Sequence, residues 1–302
     1  MAKRAILMMA YGSPNTLEDI EPYYTDIRRG RKPTPELLHE LTERYKAIGI
    51  GNGNSPLLNT TIAQAENLEK ATGIPVYLGM RHWNPWIREA VLEMKNDGVD
   101  EVIGVVMAPH YSEMSIARYV QNVEDGMKLH GAEMNFSFIK SWHNHPLFIS
   151  ALNEKIDAAM ELFNKDEEPF VIFTAHSLPE KILLNNDPYK IQLLETCDLL
   201  SEMADIPQWS FAFQSAGRTE EKWLGPDLLE EIKKLSHEGV KSILVCSVGF
   251  ITDHLEVMYD IDIEAKKYAA DLGIHLERTA SLNAHPLIAE TIKDILEKDF
   301  NI

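Results

Sequence analysis

The chain is poor in cysteine, and Cys197 and Cys246 are the only two among its 302 residues. They lack the clustered spacing of zinc or iron–sulfur ligands, so neither a metal cluster nor a disulfide framework is indicated. The chain also has no apolar run of the roughly 18 residues that a membrane-spanning helix needs, and its first residues do not have the pattern of a secretory signal. We therefore expect a soluble, cytoplasmic protein without an integral membrane segment.

Basic side chains are scarce as well. The chain has 29 lysines and arginines against 47 acidic residues, which gives a formal net charge of −18. This excess of negative charge argues against nucleic acid as a partner, because affinity for phosphates rests on a positive surface. One basic patch stands out, the stretch IRRGRKP at 27–33. It is either a solvated helix end or a carboxylate clamp, because arginine offers a rigid fork of donors that suits carboxylates.

The short motifs of several enzyme classes are absent. Without HExxH, G-x-S-x-G or a His-x-Glu pattern with paired cysteines, zinc proteases, α/β-hydrolases and zinc deaminases have no local support. A glycine-rich loop at 49–54 does not fit a phosphate-binding loop either, because no Gly-Lys-Ser/Thr ends it. We interpret this loop as backbone that turns tightly or comes close to a flat ligand.

The chain does have a regular alternation of strand and helix patterns, which predicts an α/β fold. Its length suits two Rossmann-like lobes with parallel sheets flanked by helices, at 1–165 and 166–302, with the last helix packing back on the first lobe. The predicted strands lie near 4–10, 74–79, 101–108, 134–139, 169–175, 208–213 and 241–248. The predicted helices cover 34–47, 60–72, 84–97, 115–130, 146–164, 187–204, 226–238, 253–272 and 285–299.

In each half an apolar run is followed by a similar short motif, AYGSP at 10–14 after AILMM and AHSLP at 175–179 after FVIFT. Open parallel sheets bind ligands outside the carboxyl ends of their strands, so Tyr11 and His176 are candidate site residues. The repeated strand-turn-helix pattern is common to α/β proteins, but the matching order and spacing favour a duplicated architecture. We expect a site between the two halves.

Acidic residues recur at four-residue spacing in Glu256, Asp260 and Glu264, which predicts a row on one helix face. Like charges weaken a helix unless metal ions or protons pair with them. The alternative is a capping pattern, with Asp253 as N-cap and Glu256 three residues on. Glu256 and His176 are expected near each other in the second lobe, where a histidine and a carboxylate would make a metal or proton-transfer site.

Several longer motifs occur in order along nearly the whole chain, and together they resemble those of the ferrochelatases. The resemblance is nearest to the soluble bacterial enzymes that insert iron into coproporphyrin III, whose first motif carries a tyrosine. The motifs are MAYGSP, YYTDIRRGRKP, RYKAIG, NSPL, MAPHYS, TAHSLPEK, QSAGRTEEKWLGPD and VGFITDHLEVMYDIDIE.

The resemblance implies a porphyrin cleft between two similar lobes and a role for each matching residue. His176 and Glu256 would bind iron and accept protons, and Tyr11 would face the iron from the other side of the macrocycle as an axial ligand. Asp260 and Glu264 would relay protons or metal. The residues implied to hold the macrocycle and its propionates, besides Tyr11, are Arg28, Arg44, Tyr45, Ser55 and Tyr119.

The resemblance thus implies a lyase of haem biosynthesis with coproporphyrin III and Fe²⁺ as substrates. No tightly bound cofactor is expected, although an accessory divalent cation could sit at the Asp260 and Glu264 row. Insertion of iron into protoporphyrin IX and a porphyrin or haem carrier without turnover stay open as alternatives. A transient iron donor or another haem-pathway enzyme stays open as a protein partner.

Overall fold

The computed structural model describes residues 2–50, 55–217 and 219–301. The chain folds into two compact units. Unit 1 consists of Met1–Pro109, Ser115–Ser141 and Asn283–Ile302, and unit 2 consists of His110–Met114 and Trp142–Leu282. Residues 51–54 of the glycine-rich loop lie outside the described residues, so the interpretation of that loop stays a prediction.

Unit 1 is built on a parallel sheet whose strand order is β2-β1-β3-β4. Its strands are β1 (Arg4–Ala10), β2 (Val76–Met80), β3 (Glu101–Val106) and β4 (Asn135–Ile139). Its helices are α1 (Ile20–Ile27), α2 (Pro35–Ala47), α3 (Pro56–Thr72), α4 (Ile87–Asn96), α5 (Ile116–His130) and α11 (Pro286–Asp299).

Unit 2 contains a second parallel sheet, in the order β6-β5-β7-β8. Its strands are β5 (Phe170–His176), β6 (Trp209–Gln214), β7 (Ser242–Ser247) and β8 (His275–Arg278). Its helices are α6 (Pro146–Met160), α7 (Tyr189–Met203), α8 (Leu228–His237), α9 (Leu255–Met258) and α10 (Lys266–Asp271). A 3₁₀ turn spans Glu180–Asn185 and a π-helix spans Asp260–Ala265.

The two sheets have the same topology, since in each the second strand lies on one side of the first and the third and fourth lie on the other. The predicted fold class, two Rossmann-like lobes, is confirmed. The central strands β1 and β5 are apolar along nearly their whole length because helices cover both faces of such a sheet. Strand β8 escaped prediction because it has four residues, HLER, too few and too polar to give a strand pattern.

Local signals in the sequence set the helix ends. Helix α3 begins at the N-cap Ser55, whose Oγ accepts a hydrogen bond from Leu58 N at 3.4 Å, and Pro56 takes the first helical position. The helix ends at Gly73, which has a φ of +70°. In the described parts of the chain, no helix combines the length and the apolar character that crossing a bilayer requires.

Helices α6 and α11 begin with the same kind of N-cap. Each belongs to a different unit from the strand that precedes it in the chain. In each, a histidine Nδ1 accepts from the backbone N–H two residues on, His145 from Leu147 and His285 from Leu287, both at 3.3 Å. Helix α6 follows β4 of unit 1 but belongs to unit 2, and α11 follows β8 of unit 2 but belongs to unit 1.

Because of how these two helices pack, the units do not divide at the expected boundary of 165/166. The main part of unit 2 runs instead from Trp142 to Leu282. Helix α6 contacts α7 and β7, and α11 packs on α3. There Gln64 Nε2 donates to Asn283 O at 2.7 Å, and Asn67 Nδ2 donates to Ala284 O at 3.2 Å. The chain therefore enters unit 2 before α6, because the apolar face of that helix is buried in unit 2. The sequence placed the boundary at the polar joint 164–169, but such a joint does not show which core covers the helix before it.

An uninterrupted α-helix over 253–272 is a wrong prediction. The chain forms α9, then the π-helix, then α10, and within the π-helix the Glu264 N–H bonds to Tyr259 O, five residues back, at 2.9 Å. A π turn holds more residues than an α turn, so four-residue spacing no longer stacks side chains on one face. Asp260 is 8% exposed, whereas Glu264 is exposed.

The alternative capping pattern is not observed either. The N-cap of α9 is His254, which makes no side-chain cap bond. Asp253 instead accepts a hydrogen bond from Ser281 Oγ at 2.8 Å and lies 3.3 Å from Arg278 Nη2. Asp253 thus ties the segment before α9 to the last residue of β8 and to the loop after it.

Candidate active site

Unit 2 brings a histidine and a carboxylate together at the carboxyl ends of its central strands. His176 is the last residue of β5, and Glu256 lies in α9, which follows β7. The chain runs from β5 to β6 on one side and then to β7 on the other, so the two residues flank the switch point of the sheet. Open parallel sheets bind ligands at this position.

A glycine allows the segment after β7 to pass close to the end of β5. Gly249 N donates to Thr174 O at 3.1 Å, and a Cβ on Gly249 would lie 2.4 Å from the Cβ of Ala175. No other residue fits at this distance. The close approach carries the chain past β5 and into α9.

The His176 Nδ1 lies 2.8 Å from Glu256 Oε2, so these two residues are close together as the sequence predicted. Each side chain is 32% exposed. A carboxylate on Nδ1 holds the ring in one orientation and leaves Nε2 as the imidazole atom that can meet a substrate.

Electrostatics favour the ionised form of both partners. Burial lowers the pKa of His176, but the charge and the hydrogen bond of Glu256, with a contribution from Asp260, outweigh burial and raise it. Burial likewise opposes ionisation of Glu256, yet His176, helped by His254 and Ser215, lowers its pKa to about 2. Without a ligand the pair is therefore an imidazolium and a carboxylate at mildly acidic pH.

A second histidine and an amide surround the carboxylate. His254 Nε2 lies 4.0 Å from Glu256 Oε2, while its Nδ1 lies 2.9 Å from Thr252 O. Burial lowers the pKa of His254, and its Nδ1–H donates to the backbone oxygen of Thr252. Gln214 Nε2 donates to Glu256 O at 2.9 Å, which fixes the first turn of α9.

Aromatic side chains pack around the His176 ring. Trp223 and Phe250 meet it edge to face, with ring centroids 6.4 and 6.3 Å away. Phe250 also packs on His254 at 4.6 Å. These apolar neighbours reduce the water around the pair, so its charges interact more strongly than they would in solvent.

Asp260 and Glu264, predicted as a relay row, have different environments. Asp260 Oδ2 accepts a short hydrogen bond from Ser215 Oγ, and Ser215 also bonds to Glu256. The hydroxyl therefore links Glu256 to Asp260, whereas the exposed Glu264 lies farther along the π-helix. An accessory divalent cation held by Asp260 and Glu264 stays a prediction.

In unit 1, Tyr11 directly follows β1 and is 41% exposed. Its ring packs on His82 with centroids 4.6 Å apart, and His82 Nδ1 lies 2.8 Å from Asp26 Oδ2. The sequence places His82 just beyond β2 but gives no sign of Asp26 as its partner. Unit 1 therefore carries a histidine and carboxylate pair of its own beside Tyr11.

The two predicted arginines of unit 1 lie on helices that follow β1. Arg28 caps the C-terminal end of α1, with its guanidinium 5.5 Å from the centroid of the Tyr24 ring. Within the described residues its buried Nε finds no hydrogen-bond acceptor. Arg44, in the last turn of α2, lies 3.6 Å from Glu40 Oε1, with 27% of its side chain exposed.

The remaining predicted porphyrin contacts are more deeply buried than a ligand-binding role suggests. Tyr45 is 3% exposed and packs edge to face on Tyr23. Ser55 is 1% exposed and caps α3. Tyr119 on α5 is 5% exposed beneath the Arg81 guanidinium, and burial raises the pKa of its phenol. Their assignment as porphyrin contacts stays a prediction.

Sequence reasoning missed several neighbours of the His176 pair. His254 was visible in the motif DHLE but was ambiguous alone, and Ser215 and Gln214 lay in QSAG without a chemical signature. Tyr189, which donates from its hydroxyl to His176 O at 3.0 Å, had no sequence signal at all. Contacts between segments far apart in the chain made these residues part of the site.

Comparison with known proteins decides the family. A family model described as Ferrochelatase matches residues 3–300. The chain belongs to the ferrochelatase family. The resemblance read from its motifs is therefore confirmed, and the protein is an enzyme that inserts metal into a porphyrin in haem biosynthesis, with a porphyrin and iron as substrates.

Curated relatives and solved structures agree with this assignment. The ferrochelatase of Deinococcus radiodurans is 40% identical, over 97% of this chain and 95% of the relative. The coproporphyrin III ferrochelatase of Halalkalibacterium halodurans is 42% identical, over 98% and 97%. The structure of SirB from Bacillus subtilis with Fe³⁺ has a TM-score of 0.63 at 13% identity, covering 98% of this ferrochelatase and 95% of SirB, which shows a shared fold.

Proposed function

We propose that this ferrochelatase inserts Fe²⁺ into coproporphyrin III, with His176 and Glu256 as the pair that binds the metal and accepts protons. The observation that carries the proposal is the 2.8 Å contact between His176 Nδ1 and Glu256 Oε2 at the switch point of the unit 2 sheet. A site that only bound a porphyrin would not need a paired base and metal ligand.

The first step is exchange of a proton for the metal. Fe²⁺ prefers neutral imidazole and carboxylate ligands, whereas the raised pKa of His176 favours its imidazolium form in the resting pair. Fe²⁺ therefore displaces the Nε2 proton as it binds to His176, while Nδ1–H keeps its hydrogen bond to Glu256. The carboxylate favours metal binding by its charge, and the low pKa of Glu256 keeps it ionised while the metal binds.

The second step returns protons as the metal leaves for the macrocycle. Insertion releases two pyrrole N–H protons for each Fe²⁺, so acceptors must stand where the metal was. His176 takes one proton and regains its imidazolium form beside Glu256. The second protonates Glu256 transiently and passes through the Ser215 hydroxyl to Asp260, because that hydroxyl can accept from protonated Glu256 while it donates to Asp260.

The preference for coproporphyrin III is supported by charge in unit 1 and by the relatives. Coproporphyrin III carries four propionates, whereas protoporphyrin IX carries two propionates and two apolar vinyl groups. The segment from Arg28 to Lys32 concentrates cations in a chain of net charge −18. Several relatives at about 40% identity are named coproporphyrin III ferrochelatases, although others are named only ferrochelatase.

The proposal predicts faster metallation of coproporphyrin III than of protoporphyrin IX. Anaerobic Fe²⁺ insertion is followed by absorbance, with each porphyrin offered separately at the same concentration to the purified protein. A higher kcat/KM for coproporphyrin III is the expected result, because its two additional propionates find arginine partners. Preference for protoporphyrin IX would assign the enzyme to that substrate, and tight porphyrin binding without turnover would indicate a carrier.

Arg28→Ala is expected to weaken binding of coproporphyrin III by about tenfold to a hundredfold, because a charge-assisted hydrogen bond contributes about 1.5–3 kcal/mol. Porphyrin fluorescence quenching without metal measures the Kd. The matched control is Arg88→Ala, because Arg88 also stacks on an aromatic ring, with its guanidinium 4.3 Å from the Trp86 ring centroid. Unchanged affinity in the Arg28 variant would mean that the basic patch is only a solvated helix end.

A further inference from the structure

The backbone at His176 depends on a hydrogen bond from outside the sheet. Strand β5 pairs with β7 only as far as Thr174, opposite Ser247, after which β7 turns away. The His176 carbonyl therefore lies beyond the last paired residue on that side. A partly buried backbone carbonyl needs a partner, and the Tyr189 hydroxyl supplies it at 3.0 Å.

Tyr189 is itself held in one position. It is 7% exposed and is the first residue of α7. Its backbone N–H donates to Asp187 Oδ1 at 3.0 Å, which satisfies one of the unpaired donors at the start of that helix. The hydroxyl that reaches His176 thus belongs to a side chain whose backbone is fixed by a neighbouring carboxylate.

Asp187 connects this helix start to a distant piece of chain. It is 6% exposed, and its Oδ2 accepts from Ser112 Oγ at 2.9 Å and from Glu113 N at 2.8 Å. Three donors therefore converge on one buried carboxylate, an arrangement that resists displacement because an unmade hydrogen bond to a buried charge costs free energy.

The segment His110–Met114 that Asp187 binds is a short excursion of the chain. The residues on both sides of it belong to unit 1, while the segment itself belongs to unit 2. It has further bonds to α7, since Tyr111 N donates to Gln192 Oε1 at 2.7 Å and His110 Nε2 lies 2.9 Å from Thr196 Oγ1. Successive turns of α7 thus hold the segment His110–Met114. Tyr189, the first residue of α7, bonds to His176.

We infer that Tyr189, fixed by Asp187, is a positioning residue that sets the place of His176 for metal binding; the inference rests on the proposed function of His176. The hydroxyl bonds the backbone of His176 while Glu256 bonds its ring, so the residue is fixed at both ends. Binding constellations must be held within about 0.5 Å of productive geometry, and a displacement of about 1 Å costs up to about a hundredfold in rate.

Tyr189→Phe tests this inference, because it removes one hydroxyl and keeps the buried ring. We expect the KM for Fe²⁺ to rise about tenfold, within the cost of a small misplacement, while the Kd for metal-free coproporphyrin III stays unchanged. The visible absorbance of Co²⁺, used as a probe without porphyrin, should also change in intensity, since it reports the geometry around the metal. A residue that only supports the fold would not separate metal binding from porphyrin binding.

The matched control is Tyr77→Phe, which removes a phenol that donates to Asp97 Oδ2 at 2.6 Å in unit 1. It should leave the KM for Fe²⁺ and the Co²⁺ spectrum unchanged. Asp187→Asn serves as a second variant, because an amide nitrogen cannot accept from Ser112 and Glu113, and it should raise the KM for Fe²⁺ in the same direction.

Two outcomes would overturn the inference. Wild-type metal KM and Co²⁺ spectrum in Tyr189→Phe would show that the hydroxyl does not position His176, and an equal loss of metal and porphyrin binding would show a general structural role. His176→Ala in the same assays keeps the proposals apart. If that variant loses metal binding while Tyr189→Phe is normal, only the inference fails; if His176→Ala is normal, the proposed function fails.

Discussion

His176→Ala is expected to reduce the rate of iron insertion by about a thousandfold, within the range that positioned acid–base groups contribute. The variant loses a metal ligand and a proton acceptor together. Glu256 alone offers a carboxylate oxygen but no imidazole nitrogen. The side chain is 32% exposed, so its removal should leave the fold intact. The measurement is anaerobic single-turnover insertion of Fe²⁺, with circular dichroism to confirm folding.

The matched control for this change is His237→Ala, which removes an exposed histidine from the last turn of α8 in the same unit. It should metallate porphyrin at the wild-type rate. Near-normal turnover in His176→Ala would remove His176 from the mechanism, and loss of the far-ultraviolet signal would call for the milder His176→Gln.

Glu256→Gln is expected to reduce insertion by about a hundredfold or more and to change how stability depends on pH. The amide keeps the size of the side chain but binds Fe²⁺ weakly and cannot hold an imidazolium. In the variant, burial of His176 is no longer outweighed, so the pKa of His176 should fall below the value in the wild type. Nuclear magnetic resonance of the ring protons measures this pKa directly.

The stability difference between wild type and Glu256→Gln should be largest at mildly acidic pH. Glu256 has a lowered pKa in the folded state, so its contribution is present above its ordinary value of 4.5 and is lost as pH falls towards about 2. His176 has a raised pKa, so its contribution is complete below its ordinary value of 6.5 and is lost as pH rises through the folded value. Urea unfolding at pH 5.5 and pH 9 should show the larger difference at pH 5.5, and an equal difference at both would contradict an ion pair.

Strand and helix patterns predicted most of the fold, because apolar runs and capping residues act locally. The ends of β1 and β5, where Tyr11 and His176 lie, could be located from AYGSP and AHSLP alone. The π-helix could not be predicted, since the acidic residues at 256, 260 and 264 fit an α-helix equally well. Its backbone is set by packing and by partners such as Ser215, which lies far away in the sequence.

The sequence by itself determined the α/β class, the duplicated architecture and the residue types at the strand ends, because periodicity, glycines and prolines express local conformational preferences. The motifs in sequence also sufficed to suggest the family. Tertiary structure alone decided which groups meet: His176 and Glu256, Asp26 and His82, and the Tyr189 hydroxyl and the His176 carbonyl. It also decided that α6 belongs to unit 2 and α11 to unit 1. These contacts join segments distant in the chain, and their geometry depends on how the sheets and helices pack, which no local pattern encodes.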